Sequence, residues 1–259
     1  MKPCIIEQSC GLGDILMSLK VASRYYQAGH PVIWPVEPIY ANLKNNIKLD
    51  FPIEFPCVRE EFALKERYQE LARTEISEVT EFEDVLYVPL RRSVYSNYGQ
   101  QLSQKRSSDA SNMLSKFGMC DTTFEEWQNS WELKRNQKKE EQLNHILNIS
   151  ATEDLHIVNN RFGTPPRWNE FLARTIETPP NMRRIQMSII PPFDVFDWSA
   201  LFERAKKIDT VSTSTFFLFE KLDLQCVPTI YSRNHQDRSF EENFGWMKEI
   251  SQKEYNFII

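Results

Sequence analysis

Two glycines and an aspartate near the start of the chain have the types and spacing of a ligand-binding turn. Gly11, Gly13 and Asp14 follow the short apolar run Cys4–Ile6 and precede apolar residues at helical spacing. A carboxylate at this point would lie at the edge of a parallel sheet where α/β proteins bind their ligands. Aspartate is equally an ordinary helix-cap or first-turn residue, which the helix dipole stabilises by about 0.3–1 kcal/mol. The pattern therefore leaves two interpretations of Asp14, a helix terminus or a ligand-facing carboxylate.

The same turn departs from the two standard nucleotide-binding loops. A dinucleotide fingerprint has a third glycine where this chain has Leu16. The fingerprint also includes an acidic residue about 20 residues further on, which binds the ribose. Glu37 is the one candidate for that residue in this chain. A P-loop needs a lysine followed by serine or threonine, and the turn has none. The sequence thus argues against a standard NAD or ATP site.

A second polar turn lies in the C-terminal part of the chain. Ser212, Thr213, Ser214 and Thr215 follow a predicted strand and precede an amphipathic segment. Hydroxyl groups beside the backbone N–H groups of a helix start suit an anion such as a diphosphate. Serine and threonine are also the usual helix caps, so that interpretation stays open.

Further polar residues follow predicted strands in the C-terminal half. Asn159, Asn160 and Arg161 end one strand, Arg167 lies in the Gly/Pro-rich continuation, and Arg233 follows a later strand. The forked donors of arginine pair well with phosphate, which makes these turns candidate ligand contacts. A solvated turn is the alternative interpretation.

Composition and charge restrict the function classes. The 259 residues are 41% hydrophobic and 12% aromatic, enough for a sizeable core. A net charge of −5 argues against a protein that coats nucleic acid through a general basic surface. Local DNA contact stays open, because the segment 91–106 carries arginines interleaved with tyrosines. The four histidines are too dispersed to suggest a metal cluster or a catalytic triad.

The location is predicted from cysteines and hydropathy. Five scattered cysteines without a Cys-x-x-Cys pair indicate reduced thiols. No run approaches the roughly 18 apolar residues of a transmembrane helix, and no signal-peptide core is present. We therefore expect a soluble, cytoplasmic protein without a transmembrane segment.

Alternating strand and helix patterns predict an α/β fold with two Rossmann-like domains. Residues 1–36 read as a βαβ unit, and residues 91–108 as an exposed loop. Phe124, Trp127 and Trp131 open a predicted helix that runs to about residue 147, with a middle that lacks apolar residues. Such a helix is either a bridge between domains or one long surface helix. The predicted division is an N-terminal domain at 1–125, a bridging helix at 126–150 and a C-terminal domain at 151–259, where Asp197 would cap a helix.

Two of these stretches resemble a known enzyme family. The run Gly11-Leu12-Gly13-Asp14-Ile15-Leu16-Met17 resembles the opening G-x-G-D-x-L-x loop of the heptosyltransferase-like glycosyltransferases. The run Val211-Ser212-Thr213-Ser214-Thr215 resembles their C-terminal V-S-x-D-T loop, with Thr213 or Ser214 in place of the aspartate. These enzymes have the GT-B fold, in which two Rossmann-like domains face each other across a cleft.

The resemblance implies sugar transfer from a nucleotide-sugar donor to an acceptor hydroxyl, with inversion and without a bound metal or further cofactor. It makes Asp14 the candidate general base, on an acceptor-side loop formed by Gly11 and Gly13. The donor diphosphate would lie against Ser212, Thr213, Ser214 and Thr215 in a C-terminal nucleotide-sugar domain. Glu220 becomes a ribose or base contact, and Asn160, Arg161 and Arg233 become further donor contacts.

The acceptor and the function class are left open by the residues. Glycans or small molecules are the expected acceptors, and a modified DNA base is the less favoured one because the chain is acidic. A non-catalytic α/β binding module is the main alternative, in which the two turns are helix caps. A different nucleotide- or phosphosugar-processing enzyme is the third.

Overall fold

The structure is a computed structural model that describes residues 1–106, 108–162, 172, 174–188, 190–233 and 238–259. The chain divides into two compact units. The first consists of Met1–Glu132 and Gly245–Ile250, and the second of Leu133–Phe244 and Ser251–Ile259. The C-terminal region therefore contributes to both units.

The elements follow one another in short strands and helices. The strands are β1 (Cys4–Ile6), β2 (Val32–Ile33), β3 (Ile47–Lys48), β4 (Ile53–Glu54), β5 (Thr80–Glu81), β6 (Leu86–Val88), β7 (Glu132–Leu133), β8 (Leu155–Asn159), β9 (Arg183–Gln186), β10 (Lys207–Val211), β11 (Thr229–Tyr231) and β12 (Asn256–Ile258). The helices are α1 (Leu12–Gln27), α2 (Leu43–Asn46), α3 (Lys65–Ala72), α4 (Asn97–Ser103), α5 (Ser108–Gly118), α6 (Gln137–Ile146), α7 (Ser199–Arg204), α8 (Thr215–Phe219) and α9 (Trp246–Ile250).

The first unit is built on a five-stranded sheet in the order β4-β2-β1-β6-β5. Strand β1 pairs in parallel with both β2 and β6, and β5 is an antiparallel edge strand. All three residues of β1 are fully buried, as expected for a central strand covered on both faces. The predicted βαβ unit at the start of the chain is confirmed.

The second unit is built on a parallel sheet in the order β12-β11-β10-β8-β9. Strand β8, which lies between β10 and β9, is buried along its whole length. One sheet that is parallel except for its edge strand β5 and one fully parallel sheet, with interspersed helices, confirm the α/β class with two Rossmann-like units. Strand β12, close to the chain end, was not predicted from the sequence.

Among the described residues, each of the two five-stranded sheets has one point where the strand order reverses. In the first unit it lies between β1 and β6, and in the second between β8 and β10. Open α/β sheets bind ligands beyond the carboxyl ends of the strands at such a point, because the chain there leaves in opposite directions and opens a crevice. The polar turns after these four strands are therefore the candidate positions for ligand-binding and catalytic residues.

The predicted bridging helix over residues 126–150 is wrong. Trp127 and Trp131 are almost fully buried in the first unit, where the Trp127 indole donates a hydrogen bond of 3.0 Å to the carbonyl of Ile250. Trp127–Ser130 forms a 3-10 turn, and helix α6 begins separately in the second unit. Asn136 caps α6 by accepting from the N–H of Lys139 at 3.2 Å. The helical spacing of these aromatic residues therefore reflects side chains that are buried at a turn, and it does not indicate a continuous helix.

The exposed loop predicted for residues 91–108 is also wrong in its first part. A 3-10 segment at Leu90–Tyr95 and helix α4 occupy it. Ser93 and Ser96 are fully buried, and a Cβ on Gly99 would lie 2.2 Å from the Ser93 carbonyl. Small side chains allow these turns to pack closely, so a segment poor in apolar residues is nonetheless ordered.

The cap of helix α7 is a further correction. Asp194, and not Asp197, is the N-cap of the 3-10 turn Val195–Trp198 that leads into the helix. Asp197 is buried, accepts from the backbone N–H of Asp194 at 2.9 Å and pairs with Lys139. No helix in the described part of the chain is long and apolar enough to cross a membrane.

Candidate active site

The glycine turn after β1 is shaped by the backbone of Gly11. Its φ of 83° lies in the left-handed region, and a Cβ there would lie 2.3 Å from Oδ2 of Asp14. Glycine therefore allows the carboxylate of Asp14 to fold back against the turn. Helix α1 begins at Leu12, so Gly13 and Asp14 lie within its first turn, and Asp14 is a first-turn residue and not the N-cap.

Asp14 is held by a buried cation. Its Oδ1 lies 3.2 Å from Nζ of Lys116, and the lysine side chain is 1% exposed against 26% for Asp14. Lys116 also donates to the carbonyl of Leu90 at 3.3 Å. Since a buried ammonium needs a counter-charge, this ion pair fixes the position of Asp14 while part of its side chain stays exposed to solvent.

A second carboxylate, Glu7, lies at the same strand end and was missed from the sequence. Its backbone N–H donates to Val88 and its carbonyl accepts from Arg91, both at 2.9 Å, so it joins β1 to the turn after β6. The side chain is 3% exposed, with Oε1 3.9 Å from the Arg91 guanidinium. Burial raises the pKa of Glu7 to about 7, against the opposing charges of Arg91, Arg92 and Lys116.

One oxygen of Glu7 is unsatisfied. Oε2 is buried without a hydrogen-bond partner among the described residues. Such groups are rare in folded proteins because each costs the desolvation energy of the group. This oxygen lies at the point where the strand order reverses, which marks Glu7 as a functional candidate.

The sequence contains a weak signal for Glu7 and none for Lys116. Glu7 is the first charged residue after a buried strand and directly precedes the glycine turn. Lys116 lies on α5 between Leu114 and Phe117, about a hundred residues from Asp14 in sequence, so local spacing cannot connect them.

The second polar turn forms a chain of hydroxyl contacts. Asn159 Nδ2 lies 3.2 Å from Oγ1 of Thr210 and 3.4 Å from Oγ1 of Thr213. Thr215 Oγ1 lies 3.1 Å from Thr210 Oγ1 and 3.0 Å from Thr213 Oγ1. The turn after β10 is thereby fastened to the end of β8. Thr215 is 2% exposed, whereas Ser212, Thr213 and Ser214 are half-buried.

Three further predicted residues lie at the same edge of this sheet. Arg161 is exposed, and its N–H donates to Oδ1 of Asn159 at 3.3 Å. Oδ1 of Asn160 accepts from Gln186 at 2.9 Å. Nε of the exposed Arg233 donates to the carbonyl of Ser212 at 2.5 Å. The structure therefore brings Asn160, Arg161 and Arg233 to the strand ends that carry the hydroxyl turn.

Glu220 is engaged in structural contacts. Its Oε2 accepts from the backbone N–H of Gln252 at 2.9 Å and its Oε1 accepts from the Tyr255 hydroxyl at 2.7 Å. The carboxylate thus ties helix α8 to the segment that leads into β12, and it is 8% exposed. Arg167 lies outside the described residues.

A buried ion pair lies within the second sheet. His156 Nε2 lies 2.6 Å from Oδ2 of Asp209, both side chains are fully buried, and Lys207 Nζ is 2.9 Å from the same oxygen. Burial raises the pKa of Asp209, but hydrogen bonds from His156 and Lys207 outweigh it, so the pKa is lowered. These groups satisfy one another, which makes them a structural cluster.

The described residues contain neither a candidate metal site nor a disulfide. No three His, Cys, Asp or Glu side chains come together there as a metal site. All five cysteines lie in the described part, and none is paired in a disulfide.

Comparisons with known proteins give one structural likeness. The chain is similar to E. coli heptosyltransferase WaaC with ADP-2-deoxy-2-fluoro heptose, at 11% sequence identity and a TM-score of 0.43, over 93% of this chain and 91% of that chain. No protein-family model and no curated protein matches the chain.

Proposed function

We propose that the protein is a glycosyltransferase, which moves a sugar from a nucleotide-sugar donor to an acceptor hydroxyl without a metal ion or other cofactor. The observation that carries the proposal is Asp14, a partly exposed carboxylate held by a buried lysine at the edge of a parallel sheet. The resemblance of the two loops to the heptosyltransferase-like enzymes agrees with it.

In the proposed reaction Asp14 is the general base and the first unit holds the acceptor. The carboxylate accepts the proton of the acceptor hydroxyl as the oxygen forms a bond to the anomeric carbon. The bond from that carbon to the diphosphate oxygen breaks, and the nucleoside diphosphate leaves with the electron pair. A single displacement of this kind inverts the anomeric centre.

We assign the nucleotide-sugar donor to the second unit. Ser212, Thr213 and Ser214 offer hydroxyls beside the end of β10, and the exposed Arg161 can pair with phosphate through its forked donors. Thr215 supports the turn from within, since its hydroxyl contacts Thr210 and Thr213. Asn160 and Arg233 complete the set. Glu220 would reach a ribose or base only by giving up its contacts to Gln252 and Tyr255.

We propose a glycan or small-molecule acceptor and not DNA. Two of the basic residues in the segment 91–106 are engaged in ion pairs within the protein. Arg92 pairs with Glu75 at 2.9 Å, and Arg106 pairs with Glu249. Their charges are thus partly compensated, which weakens the attraction for a phosphate backbone.

A thermal-shift panel with UDP, GDP, TDP, ADP and CMP, each with and without EDTA, tests the donor assignment. A nucleotide at a hundredfold excess over its Kd stabilises by about 2.7 kcal/mol, which raises the melting temperature by a few degrees. We expect a selective shift that EDTA does not change, and a smaller one in Arg161→Gln.

The matched control is Arg73→Gln, which removes an exposed arginine from the first unit. It should shift like the wild type. The absence of a shift with every nucleotide would contradict the proposal and favour the binding module.

A further inference from the structure

The ion pair between Asp14 and Lys116 raises a problem for proton transfer. When Asp14 accepts a proton it loses its charge, and the Lys116 ammonium, 1% exposed, is left without its nearest counter-charge. Its other described acceptor is the neutral carbonyl of Leu90. A buried cation without an anionic partner is strongly unfavourable, so the pair alone would resist the proposed reaction.

Glu7 is the second anion within reach of the Lys116 charge. Lys116 donates to the carbonyl of Leu90, and the N–H of the next residue, Arg91, donates to the carbonyl of Glu7, so both residues contact the same peptide unit. The charge of Lys116 also opposes the rise that burial causes in the pKa of Glu7. The buried Oε2 of Glu7 has no hydrogen-bond partner among the described residues, so it is not committed to another group. The charged and titratable groups that act on Glu7 come from several elements, namely Arg91 and Arg92 after β6, Lys116 on α5, Tyr68 on α3, Tyr87 on β6 and Cys10 in the glycine turn.

The charge state of Glu7 determines the net charge around Lys116 before and after Asp14 accepts a proton. With Glu7 ionised, the three groups Glu7, Asp14 and Lys116 carry one net negative charge, and a proton on Asp14 brings them to neutrality. With Glu7 neutral, the same groups start at neutrality and would end with a buried positive charge. An ionised Glu7 therefore supplies the counter-charge that Lys116 needs once Asp14 has accepted the proton.

We propose that Glu7 is a positioning residue that acts through Lys116, supplying the counter-charge that lets Asp14 accept the proton of the acceptor hydroxyl. The inference rests on the proposed function, which it deepens by assigning a second carboxylate to the same step. Glu7 itself forms and breaks no bond. The proton passes from the acceptor oxygen to Asp14, as in the reaction above.

Carboxyl NMR tests the electrostatic coupling without any substrate. With ¹³C-labelled Asp and Glu, we expect the Glu7 side-chain resonance to titrate near pH 7 and the Asp14 resonance to show an inflection at the same pH. In Glu7→Gln that inflection should vanish. Glu54→Gln removes an exposed carboxylate of β4 that is not among the groups acting on Glu7, and it should leave the inflection in place.

Two results would overturn the inference. One is a Glu7 resonance that titrates without any response at Asp14, and the other is a Glu7 midpoint at the ordinary value for glutamate. Both are read from the wild-type protein, so the test stands even if Glu7→Gln does not fold.

A rate measurement adds the functional readout. Turnover of the nucleotide sugar selected by the thermal-shift panel should fall below about pH 7 in the wild type. In Glu7→Gln we expect that pH dependence to disappear and the rate above pH 8 to drop on the order of tenfold. An unchanged pH profile in Glu7→Gln would contradict the inference. If the wild type turns over no donor, the proposed function fails, and the NMR coupling still decides the role of Glu7.

Discussion

Replacing Glu7 by glutamine should stabilise the protein more at high pH than at low pH. Burial raises the pKa of Glu7 from its ordinary 4.5 to about 7, so the folded state holds this proton to higher pH than the unfolded chain does. The stability that Glu7 contributes is therefore complete below pH 4.5 and is lost as the pH rises through 7. Glutamine does not titrate, so the free energy of unfolding of Glu7→Gln does not fall for this reason as the pH rises.

The magnitude follows from the two pKa values. A rise from 4.5 to about 7 corresponds to about 3 kcal/mol of unfolding free energy over the full range. Integrating between pH 5 and pH 8 gives about 2–3 kcal/mol, less than the full range, because the unfolded chain is already partly ionised at pH 5. Glu7 is nearly fully buried, so solvent screening reduces this figure little.

Urea unfolding followed by tryptophan fluorescence measures the effect in the relevant unit. Trp34, Trp127, Trp131 and Trp246 lie in the first unit, so its transition dominates the signal. The difference in unfolding free energy between Glu7→Gln and wild type should be about 2–3 kcal/mol more favourable at pH 8 than at pH 5.

The control for this prediction is Glu54→Gln, which removes an exposed carboxylate from the same sheet. Its difference from wild type should change by no more than about 0.5 kcal/mol between the two pH values. Equal pH dependence in the two variants would refute the account of Glu7 as a buried carboxylate whose pKa is raised by burial.

Three further predictions concern single residues. Asp14→Asn should abolish sugar transfer and leave the nucleotide-induced thermal shift largely intact, and an active variant would exclude Asp14 as the base. Gly11→Ala should lower the free energy of unfolding, measured by urea denaturation, by roughly 1–3 kcal/mol. The positive φ of Gly11 and the nearby Asp14 oxygen leave no room for a Cβ. A loss below about 0.5 kcal/mol would contradict this turn geometry. Asp209→Asn should cost about 3–5 kcal/mol at pH 7, because His156 and Lys207 lose their buried anion. The lowered pKa of Asp209 means that its contribution is present above about pH 4 and lost as the pH falls through the folded value, so the penalty of the variant should shrink in acid.

The sequence predicted the elements whose periodicity is regular. The run Cys4–Ile6, the glycine turn and the amphipathic helix α1 specify a βαβ unit through local spacing alone, and the structure contains it. The alternation of strands and helices in the second half likewise predicted a parallel sheet. These features depend on residues close in sequence, which explains why they could be read from it.

The failures occurred where tertiary packing decides the local structure. Trp127 and Trp131 have helical spacing, yet both are buried at a turn, where the Trp127 indole donates to the carbonyl of Ile250 in the C-terminal segment of the first unit. Ser93 and Gly99 look like loop residues, and they are small because two segments pack closely there. Neither distinction can be drawn from a single window of sequence.

The candidate site likewise contains residues that local sequence predicts and residues whose contacts depend on tertiary packing. Asp14 and the hydroxyl turn follow strands directly, so their place at a sheet edge was predictable. The partner of Asp14 was not, because Lys116 comes from a distant helix. The unsatisfied state of Glu7 depends on the burial created by β6 and the turn after it, which no motif records.

Release of nucleoside diphosphate from a nucleotide sugar tests the central claim most directly. Wild-type protein and Asp14→Asn would be incubated in EDTA with UDP-, GDP-, TDP- and ADP-sugars and a mixture of methyl glycosides as acceptors, with ³¹P NMR as the readout. The account predicts that the wild type releases one nucleoside diphosphate selectively and that Asp14→Asn releases almost none. Equal release by both proteins, or none by the wild type from any donor, would contradict it.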